Sequence, residues 1–351
     1  MKLLYHGRLW SGSTARQRLD AFQRQAGVNA IASDVDAVPD QTLDLYARAR
    51  WKLRWPIDLH NENPRLIEDV ATTRPDVVFV DNSRVISCKT LRAMREICDP
   101  LLVYYSPDDA VAPHNLTWPV RMTFPEWDVV FTTKTFNISE LRQRGVRNPV
   151  LIGNAFDPLS HRPMTREEVG DDFERFDLVF MGTVEGARAR SILRLADAGF
   201  KIAVYGNPAS RRGQTWHQLT HANIVAGPPA YGVNYARQMH HGKVALCFLR
   251  KMNRDLITTR SIEIPGMARA MIAEKTPEHD AHFVDGVEYV GFQSDDELVS
   301  AAAKLIADAD LRSSMAKRGY QRCLSSSYST DDRAREMMET IFQARTASGG
   351  K

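Results

Sequence analysis

The sequence has few cysteines, and they are not arranged in the close pairs that a zinc site needs. The four cysteines are scattered along the 351 residues, at Cys88, Cys98, Cys247 and Cys323. His217, His240 and His241 have no cysteine or carboxylate partners at ligand spacing either. We therefore expect free thiols and no metal site.

The charge balance and the hydropathy exclude two further classes of protein. The formal net charge is +3, which is too small for bulk electrostatic binding of nucleic acid. The sequence has no run of about 18 apolar residues, so no segment is predicted to span a membrane. The first residues, MKLLYHGRLW, have too short an apolar core for a secretory signal. The cytoplasm is the simplest expected location.

The chain is long enough for two hydrophobic cores, and its pattern of strands and helices occurs twice. Continuous apolar runs such as PDVVFVD suit parallel strands that are covered on both faces. The polar stretch SHRPMTREEVGDDFERF separates the two series. The sequence predicts an N-terminal Rossmann-like domain over 1–160, a linker over 161–176, a second such domain over 177–328, and a C-terminal helix and tail over 329–351.

The loop after the first strand of the second series contains Gly182, Thr183 and Gly186. Small residues there let the backbone approach a ligand. The loop matches neither G-x-G-x-x-G nor a P-loop, which argues against a nicotinamide-dependent enzyme and against an NTPase.

The stretch from Asp255 to Glu274, DLITTRSIEIPGMARAMIAE, predicts a loop, a helix start and a short buried strand. Ser261 is a plausible N-cap for a helix that begins near Ile262, and Pro265 fits the first turn of such a helix. A helix start offers N–H groups and a positive dipole end to a diphosphate, and a carboxylate one turn in, Glu263, accepts hydrogen bonds from ribose hydroxyls. The stretch therefore predicts a nucleotide site, although Glu263 would also favour its helix N-terminus without any ligand.

The same stretch and the residues after it resemble a known family. RSIEIPGMARAMIAE, followed by HFVDGVEYVGFQSDDELVSAAAKLI, is similar to the C-terminal signature of the spore maturation protein CgeB/YkvP-like glycosyltransferases. WDVVFTTKTFNISELRQRGVRNPVLIGNAFDP also resembles the segment that ends the first domain in many proteins of the wider GT-B clan. The resemblance implies the α/β GT-B fold, in which two Rossmann-like domains face each other across a cleft.

The resemblance also implies a site for a nucleotide-sugar donor in the second domain. Many clan members carry two Glu residues separated by seven positions, of which the second contacts the ribose and the first lies near the donor sugar. Glu263 falls on the second position and Asp255 on the first, where the shorter Asp departs from the pattern. Arg188 takes the role of a basic residue against the donor phosphates, unless it is simply an exposed helix arginine. The other candidates for donor binding are Gly182, Thr258, Thr259, Arg260 and Ser261.

The first domain is expected to present the acceptor. In GT-B enzymes the loop after the first strand faces the cleft, which makes His6 and Gly12 candidates for the site. Asp108 and Asp109 follow a buried strand that ends at Ser106, and open α/β sheets place ligand groups at that end of a strand. Such a carboxylate would act as a base toward an acceptor hydroxyl. The alternative is that these residues form turns without any catalytic role, and for Asp108 and Asp109 the Pro-Asp-Asp pattern favours it.

The implied function is metal-independent transfer of a sugar, of hexosyl type, from a nucleotide-sugar to a glycan, lipid-linked or small-molecule acceptor. The nucleotide-sugar is a substrate, so no cofactor is expected. The donor base and sugar, the acceptor and the stereochemistry stay open. A nucleotide-sugar epimerase, which would act without an acceptor, and a non-catalytic subunit that binds sugar-nucleotides are the two alternatives.

One segment of the first domain combines aromatic and basic residues. In DLYARARWKLRWP, Trp51 and Trp55 share one face of a predicted helix, and Lys52 and Arg54 lie between them. This juxtaposition predicts a peripheral contact with an anionic lipid surface, at the inner face of the membrane. The alternative is that the tryptophans are buried and the basic residues solvated.

Overall fold

Two separate parallel β-sheets organise the chain. The computed structural model describes residues 1–37, 44–206 and 219–348, so His217 lies outside the described residues. Residues 1–153 together with 330–351 form the first unit, and residues 154–329 form the second. Each unit is built on a six-stranded sheet with helices between the strands. The predicted α/β class is therefore confirmed.

The first unit has the strand order β2-β1-β3-β4-β5-β6. Its strands are β1 (Lys2–Gly7), β2 (Asn29–Asp34), β3 (Val77–Asp81), β4 (Leu101–Ser106), β5 (Val129–Thr132) and β6 (Pro149–Leu151). Its helices are α1 (Thr14–Gln23), α2 (Leu45–Lys52), α3 (Glu62–Thr73), α4 (Cys88–Cys98), α5 (Trp118–Thr123), α6 (Asn137–Arg142) and, at the end of the chain, α14 (Thr330–Ser348). The chain returns to this unit with α14, whose Met337 and Ile341 share a core cluster with Phe22 and Phe79.

The second unit has the strand order β12-β11-β10-β7-β8-β9. Its strands are β7 (Phe176–Met181), β8 (Ile202–Tyr205), β9 (Ile224–Gly227), β10 (Gly242–Cys247), β11 (Ala270–Glu274) and β12 (Val290–Phe292). Its helices are α7 (Arg166–Val169), α8 (Gly186–Asp197), α9 (Val233–Met239), α10 (Thr259–Gly266), α11 (Pro277–His282), α12 (Asp295–Ala307) and α13 (Ala309–Ser325). No helix among the described residues is both long and apolar enough to cross a lipid bilayer.

Strand β1 shows why the apolar runs become buried strands. Leu3 and Tyr5 pack into one core cluster, while Leu4 between them packs into another cluster on the opposite face. Successive side chains of a strand point to opposite faces, so a strand covered on both faces needs an unbroken apolar run. Strand β3, VVFVD, is buried at every position. Full burial of each such valine or phenylalanine contributes about 1.5–3 kcal/mol.

The strand order of each sheet contains one switch point. In the first unit β1 lies between β2 and β3, and in the second β7 lies between β8 and β10. Open parallel sheets bind ligands outside the carboxyl ends of their strands, at the point where the strand order reverses. A ligand site is therefore expected beside the residues that follow β1 and β3, and beside those that follow β7 and β10.

Candidate functional site

Arg188 spans the switch point of the second sheet. Its Nη1 donates a hydrogen bond of 2.8 Å to the carbonyl oxygen of Thr183, which follows β7. Its Nη2 donates one of 3.3 Å to the carbonyl oxygen of Phe248, which follows β10. The residue is only 7% exposed. The guanidinium is therefore fixed between the two strand ends where a ligand is expected, and Arg188 is not an exposed helix arginine.

A second guanidinium, that of Arg260, lies in the same place. A Cβ atom added to Gly182 would stand 3.3 Å from Cζ of Arg260, so the glycine leaves the space that this guanidinium uses. The φ angle of Gly182 is +153°, a backbone conformation that L side chains rarely adopt. Burial, together with the nearby charge of Arg260, lowers the pKa of Arg188 below its ordinary value. The two arginines are therefore close enough to repel each other.

Both arginines retain unused hydrogen-bond donors. The Nε atoms of Arg188 and Arg260 are buried and have no hydrogen-bond partner among the described residues. Buried polar groups are normally paired, because an unpaired one costs about 1–3 kcal/mol. Two unpaired donors on neighbouring cations are what an anion with several oxygens would satisfy.

Two acidic residues that act on the charge of Arg188, Glu185 and Glu274, are bound to other partners. Glu185 accepts a hydrogen bond of 3.2 Å from Nε of Arg250. Glu274 forms an ion pair with Lys251 and also accepts a hydrogen bond of 2.8 Å from the backbone N–H of Leu249. Both carboxylates favour the charged form of Arg188 from a distance. Neither of them forms an ion pair with Arg188 or Arg260.

Helix α10 begins three residues earlier than the sequence analysis predicted. Its first residue is Thr259 and its N-cap is Thr258, so the predicted N-cap at Ser261 is wrong. The run TTRS offers two good capping residues, and Ser261 is used from inside the helix, where its Oγ accepts a hydrogen bond of 3.2 Å from the N–H of Thr258. The N–H groups of Thr259 and Arg260, at the start of the helix, have no acceptor within it, whereas the N–H of Ser261 donates a hydrogen bond of 3.0 Å to the carbonyl oxygen of Thr258.

Pro265 lies near the end of α10 instead of in its first turn. The helix stops one residue later, at Gly266, as is expected when proline interrupts the helical hydrogen bonds. Gly266 allows close packing, because a Cβ atom added there would stand 2.7 Å from Cγ of Phe156. The short helix is thus held tightly at its carboxyl end.

Ser261 belongs to a buried polar cluster that anchors α10. Nε2 of His279 lies 2.7 Å from Oγ of Ser261, and Sγ of Cys247 lies 3.5 Å from the same oxygen. Burial lowers the pKa of His279 to about 4 and raises the pKa of Cys247 to about 11, so both are neutral at pH 7. Ser261 itself has no exposed surface. Its side chain therefore fixes the helix against β10 and α11.

Glu263 points into the second unit, where its Oε2 accepts a hydrogen bond of 2.9 Å from the hydroxyl of Tyr235. Burial and the charge of Glu263 raise the pKa of Tyr235 well above its ordinary value. Nδ1 of His161 lies 3.8 Å from Oε1 of Glu263, but this nitrogen accepts a hydrogen bond of 3.1 Å from the N–H of Asp157. Tyr235 is therefore the hydrogen-bond donor that positions the carboxylate, which is 7% exposed.

Two loops contribute further polar residues near α10, namely Asn154 and Asp255. Asn154 accepts a hydrogen bond of 3.3 Å from the hydroxyl of Thr259 through Oδ1, while its Nδ2 is buried and unpaired among the described residues. Asp255, in the loop before the helix, is 8% exposed and accepts a hydrogen bond of 3.3 Å from the N–H of Arg250. Asn154 is the first residue of the segment NAFDP, which the sequence analysis interpreted only as marking the end of the first domain.

The first unit contains a second polar cluster, centred on His6. Nδ1 of His6 lies 2.9 Å from Oγ of Ser33, and its Nε2 lies 3.3 Å from Oε2 of Glu62. Glu62 also accepts a hydrogen bond of 2.6 Å from Ser83. Burial acts to raise the pKa of Glu62, but the hydrogen bonds from His6 and Ser83 and the charge on His6 leave it below its ordinary value. His6 has no exposed surface in this structure.

The other predicted residues of the first unit lie in turns. Asp109 is completely buried, and its Oδ1 accepts hydrogen bonds from the N–H groups of Val111 and Ala112 and from Nδ2 of Asn137. These contacts match the turn interpretation of this residue. Asp108 is half-buried at the carboxyl end of β4. Gly12 has a φ angle of +88° in the turn before α1.

Among the described residues, no group of three or more His, Cys, Asp and Glu side chains is arranged to hold a metal ion. Within the second unit, the structure brings Gly182, Arg188 and Arg260 together and places Glu263 further along α10. The sequence analysis did not identify Tyr235, His161 or Asn154 in the second unit, or Glu62 in the first. Only Asn154 stands in a recognisable motif.

Comparison with known proteins gives one family match and several matches to solved structures. Residues 188–339, less than half of the chain, match a family model described as "Glycosyl transferase-like". A search of curated proteins gives no match. The structure of sucrose-phosphate synthase from Thermosynechococcus elongatus aligns with a TM-score of 0.69 at 11% identity, over 99% of this chain and 100% of that one.

Two further solved structures share the fold. Anabaena HepE in complex with UDP-glucose aligns with a TM-score of 0.63 at 14% identity, over 98% of this chain and 100% of that one. A putative UDP-N-acetylglucosamine 2-epimerase from Listeria monocytogenes aligns with a TM-score of 0.56 at 13% identity, over 96% of this chain and 94% of that one. The chain therefore has the GT-B fold of two Rossmann-like domains. The narrower CgeB/YkvP-like group stays a prediction.

Proposed function

We propose that this protein is a glycosyltransferase that moves a sugar from a nucleotide-sugar to an acceptor. The family match over residues 188–339 and the GT-B fold support this proposal. One observation carries it: Arg188 and Arg260 stand side by side at the switch point of the second sheet with unpaired donors. A nucleoside diphosphate has the negative charge and the acceptor oxygen atoms that would pair with these donors. We further propose a hexosyl donor and membership of the CgeB/YkvP-like group.

The donor would bind along α10. Its diphosphate would accept hydrogen bonds from Arg188, Arg260 and the first-turn N–H groups, with the hydroxyls of Thr258 and Thr259 beside them. The ribose hydroxyls would donate to Glu263, whose orientation is fixed by Tyr235. We propose that Asp255, which precedes the helix, lies near the donor sugar.

The leaving group explains why the proposed reaction does not need a divalent metal. The acceptor hydroxyl oxygen attacks the anomeric carbon, the bond from that carbon to the β-phosphate oxygen breaks, and the nucleoside diphosphate leaves with the electron pair. The two guanidinium groups and the helix N-terminus stabilise the negative charge that develops on the diphosphate. We expect chelation of metals with EDTA to leave the rate unchanged.

The acceptor proton would pass to a carboxylate of the first unit. Asp108 is the best candidate, because it is half-buried at the carboxyl end of β4, whereas Asp109 and His6 have no exposed surface. In this proposal Asp109 fixes the turn, and the cluster of His6 and Glu62 fixes the ends of β1, β2 and β3. Gly12 permits the turn that leads into α1.

A thermal-shift screen against UDP, GDP, ADP and TDP, followed by the corresponding nucleotide-sugars, tests the donor site. We expect one base to stabilise the protein selectively, and Arg188→Gln to remove most of that shift. Arg190→Gln is the matched control, since Arg190 is exposed on the same helix α8. If none of the four diphosphates stabilises the protein, the proposal fails.

The reaction itself is tested with the nucleotide-sugar that the screen identifies. If the protein is a glycosyltransferase, it should release the nucleoside diphosphate faster when an acceptor mixture is added. An epimerised nucleotide-sugar formed without acceptor would indicate an epimerase instead. Stable binding without any turnover, with every acceptor supplied, would indicate a non-catalytic subunit.

A further inference from the structure

The first unit carries an exposed surface that combines large apolar side chains with cations. Five apolar side chains are exposed on it: Trp51 (47%), Leu53 (70%), Trp55 (44%), Trp118 (41%) and Met122 (48%). Its basic residues are Arg48, Lys52, Arg54, Arg84 and Arg121. These ten residues are called the aromatic–basic patch below. The alternative considered from the sequence, in which the tryptophans are buried, is therefore wrong.

Several contacts join the parts of the patch, which come from α2 with its following loop, from α5 and, for Arg84, from the loop after β3. The N–H of Trp118 donates a hydrogen bond of 2.7 Å to the carbonyl oxygen of Arg54. The guanidinium of Arg84 lies 6.0 Å from the centre of the Trp51 ring, and its carbonyl oxygen accepts a hydrogen bond of 2.6 Å from Thr117, the N-cap of α5. Arg121 lies 5.1 Å from the centre of the Trp118 ring. The patch is therefore one continuous surface.

The charge of the patch has one sign. Residues 45–57 and 113–125 contain no Asp and no Glu. The acidic residues that flank the first segment are engaged by backbone groups: Asp44 caps α2, and Asp58 accepts hydrogen bonds from the N–H groups of Glu62 and Asn63. No basic residue of the patch forms an ion pair within the described part of the chain. The cations are therefore available to an external anion.

We propose that the aromatic–basic patch binds the surface of an anionic lipid bilayer. Tryptophan rings partition to the boundary between headgroups and acyl chains, and cations around them attract acidic headgroups. A nucleic acid would not need exposed Leu53 and Met122. The patch follows the carboxyl ends of β2, β3 and β4, the same edge at which the His6 cluster lies, so a bilayer bound here would face the proposed acceptor side of this unit. The proposal does not depend on the identity of the donor.

Co-sedimentation of the full chain with vesicles tests the proposal. We expect binding to vesicles of phosphatidylcholine with phosphatidylglycerol, weak binding to phosphatidylcholine alone, and release at high salt. Each cation near an anionic surface contributes roughly fivefold to partitioning. Replacing Arg48, Lys52, Arg54 and Arg121 with Gln should therefore lower partitioning by nearly three orders of magnitude, since four such factors multiply to roughly 600-fold. The matched control replaces four exposed cations elsewhere with Gln: Arg142, Arg147, Lys317 and Arg318.

A second pair of variants tests the apolar part of the patch. Trp51→Ser, Trp55→Ser and Trp118→Ser together should abolish binding. The control replaces exposed apolar residues outside the patch with Ser: Leu159, Leu324 and Phe342. All of these side chains are exposed, so the variants should fold, and circular dichroism checks that they do.

Three results would overturn the proposal. The first is failure of the wild type to bind anionic vesicles. The second is equal loss of binding in the patch variants and their controls, which would indicate bulk charge or hydrophobicity. The third is a wild type that does not bind vesicles and is a dimer in analytical ultracentrifugation, while the tryptophan variant is a monomer. This result would make the patch an interface between two copies of the chain.

Discussion

Replacing Arg260 with Gln separates the repulsion that the structure gives to this side chain from the contact with the donor that we propose for it. In the ligand-free protein the charge of Arg260 lowers the pKa of the buried Arg188, after the larger effect of burial itself. Arg260→Gln removes this repulsion between like charges. In the proposed donor complex the same substitution would remove a contact with the diphosphate. We therefore expect weaker binding of nucleoside diphosphates, while the ligand-free variant unfolds at the temperature of the wild type or a higher one.

The size of the binding effect follows from the lost hydrogen bonds. A hydrogen bond to a charged group contributes about 1.5–3 kcal/mol, and each 1.4 kcal/mol corresponds to about tenfold in the dissociation constant. Arg260→Gln should therefore weaken binding of the preferred nucleoside diphosphate by roughly 10- to 100-fold in isothermal titration calorimetry. Binding of the corresponding nucleoside, which has no phosphate, should not change. Arg190→Gln should leave both affinities unchanged.

Two results would refute this reasoning. If Arg260→Gln and the wild type bind the diphosphate with affinities within about twofold, the guanidinium does not contact the phosphates. The second result is a ligand-free variant that melts more than about 4 °C below the wild type, which corresponds to a loss of unfolding free energy on the order of 1 kcal/mol. Arg260 would then make a stabilising contact, and its repulsion of Arg188 would not destabilise the ligand-free protein.

Three further predictions concern other groups. Glu263→Ala should weaken binding of the ribonucleoside diphosphate by about tenfold and leave binding of its 2′,3′-dideoxy form unchanged in calorimetry; an equal loss for both would contradict a ribose contact. Asp108→Asn should lower kcat for transfer by roughly 10²- to 10⁴-fold with donor affinity unchanged, and full activity would exclude it as the base. His240 and His279 have pKa values lowered to about 4 by burial, so between pH 6.5 and 4 the unfolded state binds more protons than the folded state and stability falls as pH falls. The free energy of unfolding, measured with urea, should drop by about 2–4 kcal/mol from pH 7 to pH 5. A pH-independent value would contradict buried, neutral rings.

The strands were predictable because their signal is local. An unbroken apolar run such as VVFVD in β3 has to be covered on both faces, and helical segments between such runs provide the cover. The start of α10 was not predictable to the residue, because Thr258 and Ser261 are both good N-caps. The choice between them depends on His279, whose ring lies 2.7 Å from Ser261 and is 18 positions away in the sequence.

The partners of the predicted site residues were harder to predict because they are far from those residues in the sequence. The bond between Tyr235 and Glu263 joins residues 28 positions apart, and the contact between His6 and Glu62 joins residues 56 positions apart. No motif marks Tyr235 or Glu62 as members of a site. Their positions follow from the register of the parallel sheets and from helix packing, which a single sequence does not specify.

The structure also distinguishes polar groups whose hydrogen bonds are satisfied inside the protein from groups whose hydrogen bonds are not. Ser261, His6 and Asp109 are buried with their hydrogen bonds satisfied inside the protein. Arg188 and Arg260 are different, because they retain buried Nε donors without partners and repel each other. Folding alone does not favour such a pair, since an unpaired donor and a like-charge contact both cost free energy. An anion with several oxygens would make the pair favourable, so the unsatisfied donors support the proposed donor site more directly than the residue types of the same loop do.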